Sequence, residues 1–406
     1  MLARVGGTHT GAVKVSAASA EAPPGRPRTR TLRGLVGYFL RLGSWGFGGP
    51  IALVGYMHRD LVEERGWFSE DEYRQGLALA QTMPGPLAAQ LAMWFGYLER
   101  GTLGAAAVTV PFVAPPFLLV TGVAVLYAEY QGLAWVHALF LGVGPAVLAI
   151  IAVAAVKLAR VTNGHDPVLW AIAAVLCIAT ALAGAEIVWL FLLAGAFGAL
   201  YYGGGLPRPG LPSLSPAGLI AVVEGLAFTG SGVSLATLAL FFVKAGAFTF
   251  GSGLAIVPFL HEGLVLDHHW LTEQQFVDAV AMGLISPGPV VIMATFAGYL
   301  AFGLLGALVA TAAVFLPVFL FVVVPGRAFR RYGDRPRVKG FITGATAAAA
   351  GAIAGAAIVI GGDTIARAGS AVIALAALAL LLQRWVKMPE PALVAGSALV
   401  GLAVYG

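Results

Sequence analysis

The chain has 406 residues, of which 59% are hydrophobic and only 11% charged, and its mean hydropathy is +0.88. A soluble domain carries about 25% charged residues, so there are too few polar side chains here to cover a water-facing surface. The net charge of +5 would suit nucleic acid, but the bases are concentrated in two segments flanking apolar runs, which excludes that partner and points to a lipid bilayer.

Residues 1–34 hold six Lys/Arg against one acid, without an apolar core. They read as a disordered cytoplasmic tail, neither a cleaved signal nor a folded domain. From Leu35 onward the chain is filled with apolar runs long enough to cross ~30 Å of hydrocarbon as helices. The fold class is therefore an all-α polytopic membrane protein with 10 to 13 spans. The first span, about 35 to 57, carries Arg41 and then a break at Gly48-Gly49-Pro50. A charged linker runs from His58 to Arg74, and Ser69 with Glu72 forms a capping-box pattern that starts the next helix. That helix enters the bilayer and is interrupted at Pro84-Gly85-Pro86, with Trp67 at the interface. Further spans follow at about 103 to 127, 134 to 157, 167 to 183 and 187 to 202. A Pro/Gly/Ser-rich stretch then leads to a short apolar piece, 219 to 228, interrupted by Glu224.

The order then repeats. Sliding the sequence by 203 residues sets Phe47-Gly48 on Phe250-Gly251, His58 on His261, Trp67 on Trp270, and Pro84-Gly85-Pro86 on Pro287-Gly288-Pro289. Residues 47–86 and 250–289 share 13 identities in 40, against about 6% expected by chance. After a one-residue slip, Gly96-Tyr97-Leu98 falls on Gly298-Tyr299-Leu300. The chain thus divides into a tail (1–34), a first repeat (35–202), a linker (203–235) and a second repeat (236–406). The linker 326–339 contains six Lys/Arg, whereas its counterpart, 128–134, contains none. By the positive-inside rule these equivalent loops face opposite sides, so the repeats are expected to be inverted. Inversion needs an odd number of crossings between equivalent points, while hydropathy gives six in the first half. The charge asymmetry is preferred, with residues 219–228 available to complete a crossing.

These residues resemble the chromate ion transporter family in its long, two-domain form, over nearly all of the chain from Leu35. The motif is a Phe-Gly-Gly-Gly-like turn in the first span of each half and a Pro-Gly-Pro in the second. It stands here as Phe47-Gly48-Gly49-Pro50 with Pro84-Gly85-Pro86, and as Phe250-Gly251-Ser252-Gly253 with Pro287-Gly288-Pro289. The sequence departs from it at Pro50 and at Gly55, where the second half keeps Pro258. The resemblance implies a plasma-membrane exporter of chromate, a tetrahedral dianion shaped like sulfate, with antiparallel domains and coupling to protons or the membrane potential.

Such a dianion needs hydrogen-bond donors and positive charge near the bilayer midplane. Broken helices supply both, because the free N–H groups and positive dipole end of a half-helix point at the break. The candidate binding residues are therefore Gly48, Gly49, Pro50, Pro84, Gly85 and Pro86, mirrored by Gly251, Ser252, Gly253, Pro287, Gly288 and Pro289. Arg41 and Lys244 align in the repeat as cations inside apolar spans, read either as site residues or as side chains snorkelling to headgroups. His58 and His261 read as interfacial structure in preference to a proton relay. His261, Asp267, His268 and His269 fit no metal-ligand spacing, lone Cys177 excludes a disulfide, and no cofactor is implied. Glu129, Glu186, Glu224 and Asp278 are the acids from which a coupling proton carrier would come. Within the transporter class, sulfate or another anion is the alternative substrate. An intramembrane enzyme would need a Gly-x-Ser-x-Gly or His-Glu-x-x-His motif, which is absent from the sequence. A non-transporting scaffold would have no reason to duplicate its helix breaks. A homodimer is compatible with this reading.

Overall fold

The computed structural model describes residues 30–130, 133–183, 188–204, 234–249, 253–326, 335–364, 368–382 and 390–405. All regular structure among them is helical. In the first repeat the elements are α1 (Leu32–Trp45), α2 (Gly49–Met57, continued by a π-helical stretch His58–Glu64), α3 (Glu70–Thr82), α4 (Leu87–Tyr130), α5 (Ala134–Asn163), α6 (Pro167–Ala183) and α7 (Val188–Tyr201). The second repeats this as α8 (Leu235–Ala247), α9 (Val257–His261, continued by π-helical Glu262–Asp267), α10 (Glu273–Ile285), α11 (Met293–Val323), α12 (Pro336–Thr364), α13 (Ala368–Leu382) and α14 (Glu390–Tyr405). Four apolar stretches are long enough to span a bilayer: Leu87–Tyr130, Ala138–Asn163, Val290–Val323 and Pro336–Gly362.

The span expected over 35 to 57 does not cross. α1 has 14 residues, about 21 Å of helix, and α2 turns back alongside it. A Cβ on Gly34, at the start of α1, would lie 3.1 Å from the Trp67 ring beyond the end of α2. The Arg65 guanidinium lies over the Tyr38 ring. The Pro-Gly-Pro segment is likewise the tip of a hairpin: Trp94 on α4 donates from Nε1 to Glu72 O at the start of α3 (2.9 Å). Arg30 ties both hairpin mouths together, bonding Glu99 Oε2 at 2.5 Å and lying 3.6 Å from Glu72. Both hairpins are thus re-entrant. α4 bends sharply where Gly101 has φ +58, and Gly96 packs on Gly104 across the bend, separating a short tip arm from the long crossing arm. Gly303, with φ +62, and the Gly298–Gly306 contact repeat that bend in α11.

The long arm of α4 starts beside these mouths and runs about 42 Å to Tyr130. At its far end, Tyr127 bonds Asp278 near the start of α10. The hairpins of the second repeat therefore open on the opposite face, and the two repeats are inverted as the loop charges require. Reciprocally, Gly326, just past α11, lies against Tyr97 at the first repeat's mouth. Each repeat contains two hairpins that return to their own face, which leaves α4 to α7 as the crossings of the first repeat, still an even number, so the hairpins alone do not supply the odd crossing that inversion needs. Besides those four hairpins the described residues hold four long helices and four short apolar helices; the hairpins, which stand among the 10 to 13 spans expected from hydropathy, return without crossing. Gly203 and Ser234 lie on opposite faces; the piece 219 to 228, expected to complete a crossing, lies between them and outside the described residues. The tail lies outside them up to residue 29, and α1 starts at Leu32.

Capping fixes where the hairpin arms begin. Ser69 and Glu72 form the expected capping box at α3, and Thr272 with Gln275 repeats it at α10. His58 Nε2 meets Glu70 Oε2 at 2.8 Å, and His261 Nε2 meets Glu273 at 2.9 Å. Each histidine straps the return arm of one hairpin to the first residue of the next, so the repeated pair holds structure at the mouth, as expected. The halves interlock further: α5 packs on α13 and α14 of the second repeat, and α12 on α6 and α7 of the first. Glycines permit these approaches. A Cβ on Gly142 would fall 2.2 Å from Ser397 O, and one on Gly344 2.2 Å from Ala194 O.

Candidate functional site

The four hairpin tips meet inside the molecule, and two hydrogen bonds join them across the repeats. Gly288 N–H donates to Gly46 O at 3.0 Å, and Gly85 N–H donates to Thr249 O in a short contact. Both donors and both acceptors are related by the 203-residue offset. The chemistry explains the choice of residues. In Pro-Gly-Pro only the glycine has an N–H, since neither proline carries one. The acceptors lie just past the ends of α1 and α8, where helix carbonyls lack intrahelical partners. The glycines adopt φ +138 (Gly85) and φ +84 (Gly288), which L side chains rarely take. Sequence reasoning treated Gly85 and Gly288 as donors to a substrate. Their N–H groups are instead used to join the repeats.

Covering a carbonyl at the negative ends of α1 and α8 leaves the returning arms as the electropositive components of the tips. α2 starts at the turn where Gly48 has φ +110 and Gly49 φ +74, with Pro50 in its first turn and no side-chain cap on its free N–H groups. Proline suits that position, because its missing N–H is not needed there. In the second repeat Gly253 opens a short 3-10 turn, and the α-helix restarts with Pro258 in its first turn. The exchange of Pro50 and Gly55 for their counterparts thus tracks where each return arm becomes α-helical. Gly251 and Ser252 lie outside the described residues. Pro84 and Pro86 flank the first cross-repeat bond, with Pro287 and Pro289 in the same place in the second. Gln90, fully buried, donates from Nε2 to Pro84 O (2.7 Å) and Met83 O (3.3 Å) and closes the first tip.

Arg41 lies on the exposed side of α1 and lines an open cavity of about 190 Å³ with Tyr38, Trp45, Gly46, Tyr56, Arg59 and Asp60. The cavity leads from the tip at Gly46 to the charged mouth, where Arg59 bonds Asp60 at 2.8–2.9 Å. Lys244, in the last turn of α8, is half-buried and does not line this cavity. The two aligned cations thus occupy equivalent places in opposite repeats and do not converge on this one space. In the linker outside the bilayer, the hydrogen bond from His58 holds the Glu70 carboxyl below its ordinary range.

One residue of the site escaped the sequence reading. Glu390, the first residue of α14, places Oε2 3.5 Å from where a Gly49 Cβ would be, at the start of α2. The signal that would have found it is the repeat itself, because Glu390 stands 204 residues after Glu186, each opening the last apolar run of its half.

Inverted repeats, paired re-entrant hairpins and electropositive helix starts meeting at their tips define a class: a membrane transporter for anions. The profile of the chromate transporter family matches the chain twice, over residues 34–199 and 236–402, and the chain belongs to that family. It is 49% identical to the chromate transport protein of Cupriavidus metallidurans over 93% of this chain and 94% of that one. It is 47% identical to the probable chromate transport protein of Synechococcus elongatus, over 92% and 95% of the two chains. The chromate transport protein of Pseudomonas aeruginosa is 32% identical over 77% of each chain. No solved structure matches. The family is one of transporters and not of enzymes.

Proposed function

We propose that this chain is a secondary active exporter that moves chromate from the cytoplasm across the plasma membrane. The observation that carries the reading is the reciprocal pair of Gly-to-carbonyl bonds: it brings hairpins from opposite faces to one place, with the helix starts at Gly49 and Leu87 beside it. A dianion seated there meets unpaired N–H groups and positive dipole ends without a permanently tight site. The repeats, residues 35–202 and 236–406, rock about these tips and open them to each face in turn. Arg41 offsets substrate charge on the path from one face and Lys244 on the path from the other. The face bearing Arg30, Arg100, Arg160, Arg335, Arg337 and Lys339 is cytoplasmic by the positive-inside rule. Arg41 and the charged cavity then form the cytoplasmic entrance.

The test is accumulation of radiolabelled chromate in energised everted vesicles. Vesicles holding the wild-type chain should accumulate it, whereas an equally expressed Arg41→Ala/Lys244→Ala variant should lose most of that activity. Excess sulfate should compete weakly. Absence of accumulation above empty vesicles would refute chromate export, and full competition by sulfate would reassign the substrate.

A further inference from the structure

Away from the tips, one ionisable cluster is enclosed between the repeats. Asp278 lies on α10 with no solvent exposure. It accepts hydrogen bonds from the Tyr127 hydroxyl on the long arm of α4 (2.7 Å) and from the Gln274 amide one turn earlier (2.8 Å). The Gln274 amide also reaches Phe140 O at the start of α5 (3.5 Å). The Tyr127 ring is packed edge-on against Phe140 and Phe296, with centroids 5.0 and 5.2 Å away. Tyr127 directly, and Gln274 through the Phe140 carbonyl, therefore hold the acid of one repeat against the other repeat in a dry enclosure. None of the ion pairs among the described residues involves Asp278. Titratable residues on the neighbouring stretches are Glu129 and Tyr130, both exposed at the end of α4, His137 in the first turn of α5, Tyr405 at the end of α14, and the His261–Glu273 pair at the start of α10.

The cluster is one-sided. At the equivalent positions of the first repeat, Gln75 stands for Asp278 and Asp71 for Gln274, both exposed, and the residue matching Tyr127 is Phe329. In an inverted repeat, opening to either face is the same rearrangement with the halves exchanged. A device present in only one half makes the two openings unequal. Opening the face at the mouth of α10 must part it from α4 and α5, taking Tyr127 and the Phe140 carbonyl away and admitting water to Asp278. As a carboxylate, Asp278 accepts both bonds again on closing. It does so only by giving up its hydration with no cation to offset the charge, whereas once protonated it keeps acceptor capacity for both donors, so proton uptake favours the closed arrangement. We propose that Asp278, held by Tyr127 and Gln274, is the proton-operated latch of the external gate, so that acid on that face keeps the gate closed. Asp278 is a positioning residue here. The inference deepens the transport reading and rests on it.

Chromate exchange with equal saturating chromate on both sides tests the latch, because no chromate gradient enters. In everted vesicles the lumen is the external face, so lumenal pH is varied from about 5 to 8 at constant outer pH. A one-unit difference in proton affinity between open and latched states changes the exchange rate about tenfold in the wild type. Asp278→Asn should flatten that profile, and Tyr127→Phe should displace it while leaving exchange intact. An unchanged profile in Asp278→Asn would sink the latch, as would a profile abolished by His137→Ala instead. If Asp278→Asn fails to insert, Tyr127→Phe decides alone, and an unmoved profile there overturns the proposal. A wild-type chain with no chromate exchange at any pH is a different result, refuting the transport reading itself.

Discussion

The cross-repeat glycines allow a graded test of whether the tips are structural joints. Alanine at Gly101 or Gly303 meets only the strain of a left-handed backbone, about 1–2 kcal/mol, because nothing lies within 4 Å of the added Cβ. At Gly288 the same strain is joined by a contact 3.1 Å from Pro116 Cγ. That ring sits within a packed helix and cannot swing away, which adds about 1 kcal/mol or more. At Gly85 the Cβ would approach Gln90 Nε2 to 2.7 Å. Moving that amide breaks its bonds to Pro84 O and Met83 O, each worth about 1 kcal/mol, so Gly85→Ala should lose about 3–4 kcal/mol. The expected order of destabilisation is Gly85→Ala, then Gly288→Ala, then Gly101→Ala. Thermal unfolding of the detergent-purified protein, followed by loss of its monodisperse peak, reads that order. If Gly101→Ala lowered the midpoint as far as Gly85→Ala, backbone strain alone would account for the glycines, and the joint would carry no weight.

Other outcomes follow from the same geometry. A Cβ on Gly43 would lie 2.3 Å from Phe112 O, and one on Gly246 2.1 Å from Val314 O; alanine at either should destabilise by about 1–3 kcal/mol, read in the same melts. Glu390→Gln removes a negative charge beside Gly49. At a separation near 5 Å, partial relief of that repulsion should lower the half-saturating chromate concentration by about tenfold, measured by initial-rate uptake; an unchanged value would place the substrate elsewhere. Glu70 has its folded-state carboxyl value lowered by the bond from His58. Its contribution to stability is therefore present above the unfolded value and lost as pH falls through the folded one. Wild type and Glu70→Gln should melt apart at neutral pH and converge below the ordinary carboxylate range.

Much of this architecture was legible because it was written twice. Repetition exposed Pro-Gly-Pro, the Gly-rich turns, the His58/His261 pair and the capping patterns. A difference between the copies, the six bases of residues 326–339 against none in 128–134, exposed the inversion. What remained hidden was direction within a span. Hydropathy registers that α1 and α2 are apolar but not that α2 returns beside α1, because a helix pair that turns back has the same composition as one that continues. The partner of each glycine was hidden for a related reason. Gly85 and Thr249 are far apart in sequence, and the acceptor is a main-chain carbonyl that any residue could supply. Tyr127 escaped notice because one tyrosine near the end of an apolar run reads as an interface anchor until its hydroxyl is seen against Asp278.

The exchange of long helices between the repeats bears on how the chain is made. α5 finds its packing faces on α13 and α14 near the end of the chain, with Gly142 against Ser397 and Gly401, and α12 closes on α6 and α7, which precede it, with Gly344 against Ala194 and Gly351 against Ala173. When the first repeat has left the ribosome, its own residues cannot cover the glycine-lined faces that later receive Ser397 and Gly340. Assembly must therefore wait for the last stretch of the chain, and until then the early helices stand in lipid with their small residues against acyl chains. A truncation at the C-terminus would leave the first half without its partners, and membrane quality control would meet an orphaned half before it met a slow transporter.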